Sequence, residues 1–520
     1  MMKWALNRFR SGDNMLDSGS KGRICINSEY VWLLVILIFA AFFRLKGLNF
    51  QSLWGDELFS IYHSSPDFSL FRILGVSRWD PHPPLFLLLL HGWMKLFGYN
   101  EFSPRLFVAV IGILSVFPVF LLAKEIYNRN SGIIAGLLVS TNFYHLYYSQ
   151  EVRPYILLFM FSTLSFLFFI RDLRQPGRIS RRLFILFSLL MLYTHYYGLF
   201  ILLAQFVYLI IHYGVKKKLF DLKALKRHFV TGLMISALYA PMIYFVLKMM
   251  RRTDHWIKEP PEPFFFLKLI SAFFGGDAYL VFLFSGLTLF LILTCLLRYR
   301  KNSASDYEFA RLIFACPILV SWMFLSVLFP YLRSLMVVPM LSFKHGIYIL
   351  AAVLVLIASA VSLIRPPVLR GVIVVAALIL SITSICFRHD YYTRKTKQQW
   401  REAAIRIMES VPVNPDNSIA IFADEIRYSR CYFDLLKRKV DVLAPTFLNL
   451  KNVLKNQTGP SLTLMLMDWE EQPIGDKRFT DLISGYFTIV GTSRYMSISV
   501  LEYHASEMQL EQLKMLLKIS

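Results

Sequence analysis

PLFLLLLHGWMKLFG, residues 84–98, is apolar enough to enter a bilayer and too short to cross one. A spanning helix needs about 20 apolar residues at about 1.5 Å of rise each. This segment has 15 and carries His91 and Lys95. It fits a helix that lies in the interface or dips into it. Its reading decides the topology, because each added span reverses the side on which every later loop lies.

Outward from this segment the chain is a series of longer apolar runs. They predict spans near 30–46, 103–123, 132–149, 154–170, 183–197, 198–213, 229–249, 278–297, 311–329, 345–364 and 370–387. With 84–98 left out, KEIYNRN (124–130), RDLRQPGRISRR (171–182), KKKLFDLKALKR (216–227), RYRK (298–301) and RPPVLR (365–370) share one side. All are basic, which marks that side as the inner one. Residues 47–102 then form one long outer loop. YSQEVRPY (148–155), YTHYYG (193–198), 250–277 and 330–344 fall on the same outer face.

The composition agrees: 56% of 520 residues are hydrophobic. A net charge of +22 could suggest nucleic acid, but many of the cations occupy the short inner loops, where they set topology. No nucleic-acid partner is expected. The basic N-terminal stretch (Lys3, Arg8, Arg10, Lys21, Arg23) precedes the first apolar run, and Arg44 and Lys46 follow it in place of a cleavage site. This reads as an uncleaved first anchor with a cytoplasmic tail, 1–29. Cys295, Cys316 and Cys386 lie in apolar runs, Cys25 in the N-terminal tail and Cys431 in the polar tail, so neither a disulfide framework nor a zinc site is visible.

The expected architecture is an α-helical polytopic membrane protein. It has about eleven transmembrane helices over 30–387, interfacial helices in the first outer loop (47–102), and a small C-terminal α/β domain over 388–520. The tail alternates helix-like QWREAAIRIMESV, strand-like NSIAIFAD, helix-like RYSRCYFDLLKRK and strand-like SLTLMLMDW. It has no nucleotide-binding glycine loop and no sustained repeat. It is read as a scaffold, with acceptor recognition as the alternative.

The spans hold almost no ionisable residues. A proton- or ion-driven transporter keeps charges near the bilayer midplane, whereas here they gather at one interface. That suits an enzyme acting on a substrate whose tail is in lipid and whose reacting head is outside. Asp56 and Glu57 are the first candidates. A partly desolvated carboxylate can act as general base, and acids at the start of GDELFSIYH can equally serve a helix N-terminus. Asp80-Pro81-His82-Pro83-Pro84 is a rigid turn; His82 could donate to a phosphate oxygen or simply close the turn. Glu151 could hold a divalent metal, and Arg153 could pair with phosphate; both could equally form a local ion pair. Arg333, Lys344 and His345 read as phosphate ligands or interfacial anchors. His195 reads as a packed interfacial histidine. The loop around Trp256, DHWIKEPPEPFFF, suggests a structured segment.

The ordered set of motifs is more specific than any one of them. A DE pair after the first span, then D-x-HPPL, LFG-x-x-E…R and YSQE-x-R-x-Y, resembles the bacterial family 39-type glycosyltransferases. These are relatives of the protein O-mannosyltransferases and aminoarabinose transferases, with the GT-C membrane fold. The match covers about residues 30–215; FKHGIYILAAVLVLIA and QQWREAAIRIMESVP look like later landmarks of that family. The resemblance implies a polyprenyl-phosphate-linked sugar donor, inverting transfer, and a catalytic carboxylate in the first outer loop, here Asp56 with Glu57 beside it. It puts Asp80, His82 and Arg153 near donor phosphate or acceptor, with Arg333, Lys344 and His345 as further phosphate or substrate contacts. A divalent cation (Mg or Mn) on Glu151 and Asp56 is a further expectation. Many relatives have Arg-Tyr where this chain has Lys344-His345, which keeps a cation but not a bidentate grip. The implied acceptor is a protein, a lipid or a polysaccharide, and the implied place is the bacterial inner membrane, with the tail outside. The alternatives are a lipid-linked sugar flippase or transporter, and an inactive scaffold of an envelope polysaccharide system.

Overall fold

The computed structural model describes residues 28–215, 222–251, 257, 259–300, 307–411, 419–457, 459–469 and 476–519. The N-terminal tail with Cys25, the Trp256 stretch and parts of the basic loops 216–227 and 298–301 lie outside the described residues.

A helix stands at each of the eleven expected spans. Among the described residues, seven helices are long and apolar enough to cross a membrane: 102–126, 155–174, 224–250, 278–298, 307–336, 343–362 and 367–388. The segment 343–362 is wholly buried and forms the centre of the bundle. The segments 224–250, 278–298 and 367–388 are mostly open on their outer faces, as lipid-facing helices are. Residues Leu85–Phe97 form the short helix expected in the first outer loop, with Phe86, Leu87, Leu90, His91 and Met94 buried.

The expected span 132–149 is not one helix. It runs Arg129–Ser140, breaks at Thr141 and Asn142, and resumes as Phe143–Tyr148. Asn142 is extended and caps the second piece, its side chain accepting from the His145 amide at 2.9 Å. Its amide nitrogen donates to the Phe273 carbonyl at 2.8 Å. The carbonyls freed at the end of the first piece are met by Arg44, which donates to Val139 O and Ser140 O, each at 2.9 Å. Hydropathy registers the apolar run but not the side chains that interrupt its backbone ladder.

The tail folds as a five-stranded sheet with helices: β1 (Ile419–Ala423), β2 (Val442–Leu443), β3 (Leu462–Trp469), β4 (Thr488–Tyr495) and β5 (Ile498–Ala505), in the order β2-β1-β3-β5-β4. The strands expected in NSIAIFAD and SLTLMLMDW are β1 and β3, paired in parallel with Ile421 opposite Met465. β4 and β5 form an antiparallel hairpin with an irregularity between Ile489 and Gly491. This domain is clamped to the loop 47–102. Arg401 pairs with Glu101, and the Tyr432 hydroxyl donates to Glu101 at 2.8 Å while accepting from the Leu53 amide at 2.9 Å.

Candidate active site

The helix Gly55–His63 starts where the C-terminal tail meets the first loop. The Gly55 amide, one of the unpaired donors of a helix start, donates to Gln398 Oε1 at 3.0 Å. The two acids that follow have different surroundings. Glu57 is fully buried and accepts from the backbone of Trp54 (3.3 Å) and Val152 (3.1 Å). It pairs with Arg105 at 3.1 Å and with Lys397 at 3.0 Å. Burial pushes its carboxyl up, but these two cations outweigh it and hold it below the ordinary value. Glu57 thus ties the loop, the Phe102–Ile126 helix and the tail together.

Asp56 instead faces a cavity of 420 Å³ and keeps 35% of its side-chain surface open. Its Oδ2 lies 3.2 Å from Lys344 Nζ and 3.9 Å from Arg153 Nε. Burial raises its pKa, and Arg153, then Lys344, bring it back below the ordinary carboxylate value. The Lys344 ammonium also stands 5.7 Å over Trp54 and 5.8 Å over Tyr155.

The turn Asp80–His82 forms another wall. Asp80 Oδ1 accepts from the His82 amide at 3.2 Å and contacts His82 Nδ1 at 3.0 Å. Arg153 Nη2 approaches the same ring nitrogen at 3.4 Å. The single Nδ1 lone pair accepts one full bond, so the closer Asp80 contact is either Nδ1–H donating to a carboxylate or, with the ring nitrogen unprotonated, a protonated carboxyl donating to Nδ1. Burial pushes Asp80 up to about 7, which suits the protonated carboxyl, while burial and Arg153 hold His82 neutral.

Asp56, Asp80, His82, Arg153, Arg333, Lys344 and His345 all line this one cavity, whereas Glu57 and Glu151 do not. Glu151 is buried behind it with Oε1 lacking any hydrogen-bond partner. Burial raises its carboxyl to about 7. Asp56 is matched by two cations, and among the described residues no group of three or more His, Cys, Asp or Glu side chains could hold a metal ion.

Three contributors escaped the sequence reading. Tyr155 lines the cavity beside Lys344. His195, expected only to pack, also lines it, with its ring 4.8 Å from that of His82 and Nε2 unpartnered. Lys397 reaches Glu57 from the tail. Tyr155 stands two residues from Arg153 in a motif already singled out; Lys397 has no local signal. The cavity continues between apolar side chains, among them Leu199, Phe200, Leu203, Val246 and Met249.

The cavity therefore joins an apolar stretch to a polar end that carries a carboxylate and two cations. The family model described as dolichyl-phosphate-mannose-protein mannosyltransferase matches residues 81–246. That stretch includes His82, Glu151 and Arg153 and leaves Asp56, Asp80 and Lys344 outside. The chain is similar to the crystal structure of ArnT from Cupriavidus metallidurans in the apo state. Identity is 12% and the TM-score 0.58, over 91% of this chain and 98% of that one. The structure of the same ArnT bound to undecaprenyl phosphate matches with 11% identity and a TM-score of 0.57, over 91% and 97%. At such identity the likeness shows the fold. No curated protein sequence matches the chain.

Proposed function

We propose that this chain is an inverting glycosyltransferase that moves a sugar from a polyprenyl-phosphate carrier to an acceptor on the outer face of the bacterial inner membrane. The observation that carries the reading is the position of Asp56: a partly open carboxylate at the polar end of an apolar slot, held by Lys344 and Arg153. The undecaprenyl phosphate in the neighbouring ArnT structure supports a lipid phosphate as the ligand class.

The prenyl chain lies along the apolar side chains of the cavity and its phosphate meets Lys344 and Arg153. Those cations exchange Asp56 for phosphate, which removes what depresses the Asp56 pKa and makes the carboxylate a better base when the donor is present. Asp56 takes the proton from the acceptor O–H or N–H. The acceptor atom attacks the anomeric carbon, and the bond to the phosphate oxygen breaks with both electrons leaving on polyprenyl phosphate. Lys344, Arg153 and the neutral His82 offset the charge that develops there. Glu57 positions Asp56 and does not react. No nucleotide pocket is required, because the sugar arrives already activated. The acceptor is a protein, a lipid or a polysaccharide.

The test is transfer from a panel of synthetic polyprenyl-phosphate sugars by purified protein, read as release of polyprenyl phosphate. Wild type should release it, and Asp56→Asn should lose roughly 10²–10⁴-fold while remaining folded. Full activity of Asp56→Asn would remove Asp56 as base. No release from a broad panel with acceptor extracts would favour a flippase or a scaffold.

A further inference from the structure

His195 is only 2% exposed, yet one of its two ring nitrogens has no hydrogen-bond partner. It caps the C-terminal end of the helix Arg178–Thr194, and its ring lines the candidate active-site cavity. Nδ1 accepts from the Tyr197 amide at 3.2 Å. A ring nitrogen that accepts carries no proton, so the imidazole is neutral and its one N–H is on Nε2. Nε2 is the nitrogen left unpartnered. The next residue repeats the situation: Tyr196 lines the same cavity and its buried hydroxyl has no partner. Buried donors are costly unless paired, so two neighbouring orphans on one cavity wall mark a place that a ligand completes.

The surroundings say what kind of atom completes it. The His195 ring stands 4.8 Å from that of His82 and 5.6 Å from that of His345. His345 has the same tautomer, because its Nδ1 accepts from the Ser342 amide at 3.3 Å. His195 and His345 are therefore neutral N–H donors. Full positive charge comes instead from Lys344 and Arg153, 3.2 Å and 3.9 Å from Asp56 Oδ2. Those two cations match Asp56 and the single negative charge of a phosphodiester. What remains for the neutral donors is neutral oxygen, and a sugar supplies it as hydroxyl. A hydroxyl oxygen accepts from Nε2–H. The C–H left by deoxygenation does not, and an ammonium can only donate.

We propose that His195 determines donor specificity: its Nε2–H donates to a hydroxyl oxygen of the sugar carried on polyprenyl phosphate, so that a neutral sugar is accepted and one with a protonated amine at that position is refused. The proposal rests on the reading of this cavity as a site for polyprenyl-phosphate sugars, but not on the transfer step.

The full chain is purified in detergent and delipidated. Polyprenyl-phosphate glucose, galactose and mannose are added, and retention is measured by native mass spectrometry. The best-retained hexose is then compared with its singly deoxygenated analogues, with the analogues bearing an amine in place of one hydroxyl, and with polyprenyl phosphate alone. In wild type, deoxygenation at one position should weaken retention about tenfold, and the amine at that position should weaken it at least as much. His195→Asn keeps an acceptor for the Tyr197 amide and loses the donor at the Nε2 position. It should retain that hexose about tenfold less well, no better than the deoxy analogue, and should hold polyprenyl phosphate as wild type does. His195→Gln places an amide N–H near the Nε2 position and should recover part of the discrimination. A wild type indifferent to every deoxygenation and amine replacement overturns the proposal without any variant, as does discrimination unchanged in a folded His195→Asn. Equal weakening of polyprenyl phosphate and its sugar by His195→Asn assigns the N–H to the phosphate and overturns it too. Retention needs no turnover, so the two readings fail separately. The predicted discrimination without release of polyprenyl phosphate supports the role of His195 and removes the transferase; release without discrimination does the reverse.

Discussion

Lys397 Nζ lies 3.0 Å from Glu57 Oε2, joining residues 340 positions apart. Both side chains are buried, and Glu57 immediately follows the carboxylate that faces the candidate active-site cavity. The tail therefore bears directly on the site: Lys397 holds the acid next to Asp56, and Gln398 caps the helix on which Asp56 sits. Removing Lys397 leaves Glu57 buried with Arg105 as its remaining cation. Lys397→Met should cost about 2 kcal/mol, the weight of one charged hydrogen bond, and should lower transfer by displacing the helix start. The check is Tm in detergent together with a double-mutant cycle with Glu57→Gln. Additive single effects would show that the pair does not hold the site.

The contact between Lys344 and Asp56 makes a prediction about pH. Lys344 helps hold Asp56 below the ordinary carboxylate value, so its removal should raise that pKa. The acid limb of kcat/KM for Lys344→Ala should then move to higher pH. The loss of a cation for the leaving phosphate should lower kcat/KM by about 10²-fold. Lys344→Arg restores the charge and should return the limb toward wild type. A profile that keeps its shape while falling in height would mean that Lys344 serves the phosphate alone.

Much of this arrangement was legible in local sequence because its parts are local. Gly55–His63, the Asp80–His82 turn and Arg153 each lie in short polar stretches between apolar runs, and their convergence on one cavity agrees with the shared parity of their loops. What was not legible depends on contacts distant in the chain. Lys397 is one cation among many in a basic tail, and only the docked sheet brings it to Glu57. The different roles of Asp56 and Glu57 depend on which side of a single helical turn meets Arg105. The break at Thr141 depends on Arg44, about a hundred residues earlier.

Arg44 is fully buried and is held by carbonyls and a ring, not by an acid. It donates to Ala40, Val139 and Ser140 and lies 2.7 Å from His145 Nδ1. Replacing a buried charge with an apolar group can be neutral when nothing is left unpaired. Here Ser140 O would lose its donor inside the bundle, at about 1–3 kcal/mol, and Val139 O would keep only its backbone partner, the Asn142 amide at 3.4 Å. Arg44→Met should therefore destabilise by about 1–3 kcal/mol, and Arg44→Lys should recover part of it by reaching some of the acceptors. Folded yield and Tm after purification measure this; a Tm for Arg44→Met equal to wild type would show that the break in 129–148 stands without Arg44.

Asp80 sets a stability trend with pH. Its carboxyl is buried and raised to about 7, against an ordinary value of 3.8. The unfolded chain releases this proton from about pH 4 upward, while the folded chain retains it until about pH 7. Stability from this group is complete below pH 4 and is lost as pH rises through 7. The gap corresponds to about 4 kcal/mol as an upper bound. Glu151, raised to about 7, adds a trend of the same sign. Asp80→Asn carries no titrating proton, so its Tm relative to wild type should rise between pH 5 and pH 8. Glu151→Gln should do the same, and the double variant should flatten the trend further. Parallel curves for wild type and Asp80→Asn would show that Asp80 is ionised in the folded protein, with His82 Nδ1–H donating to it.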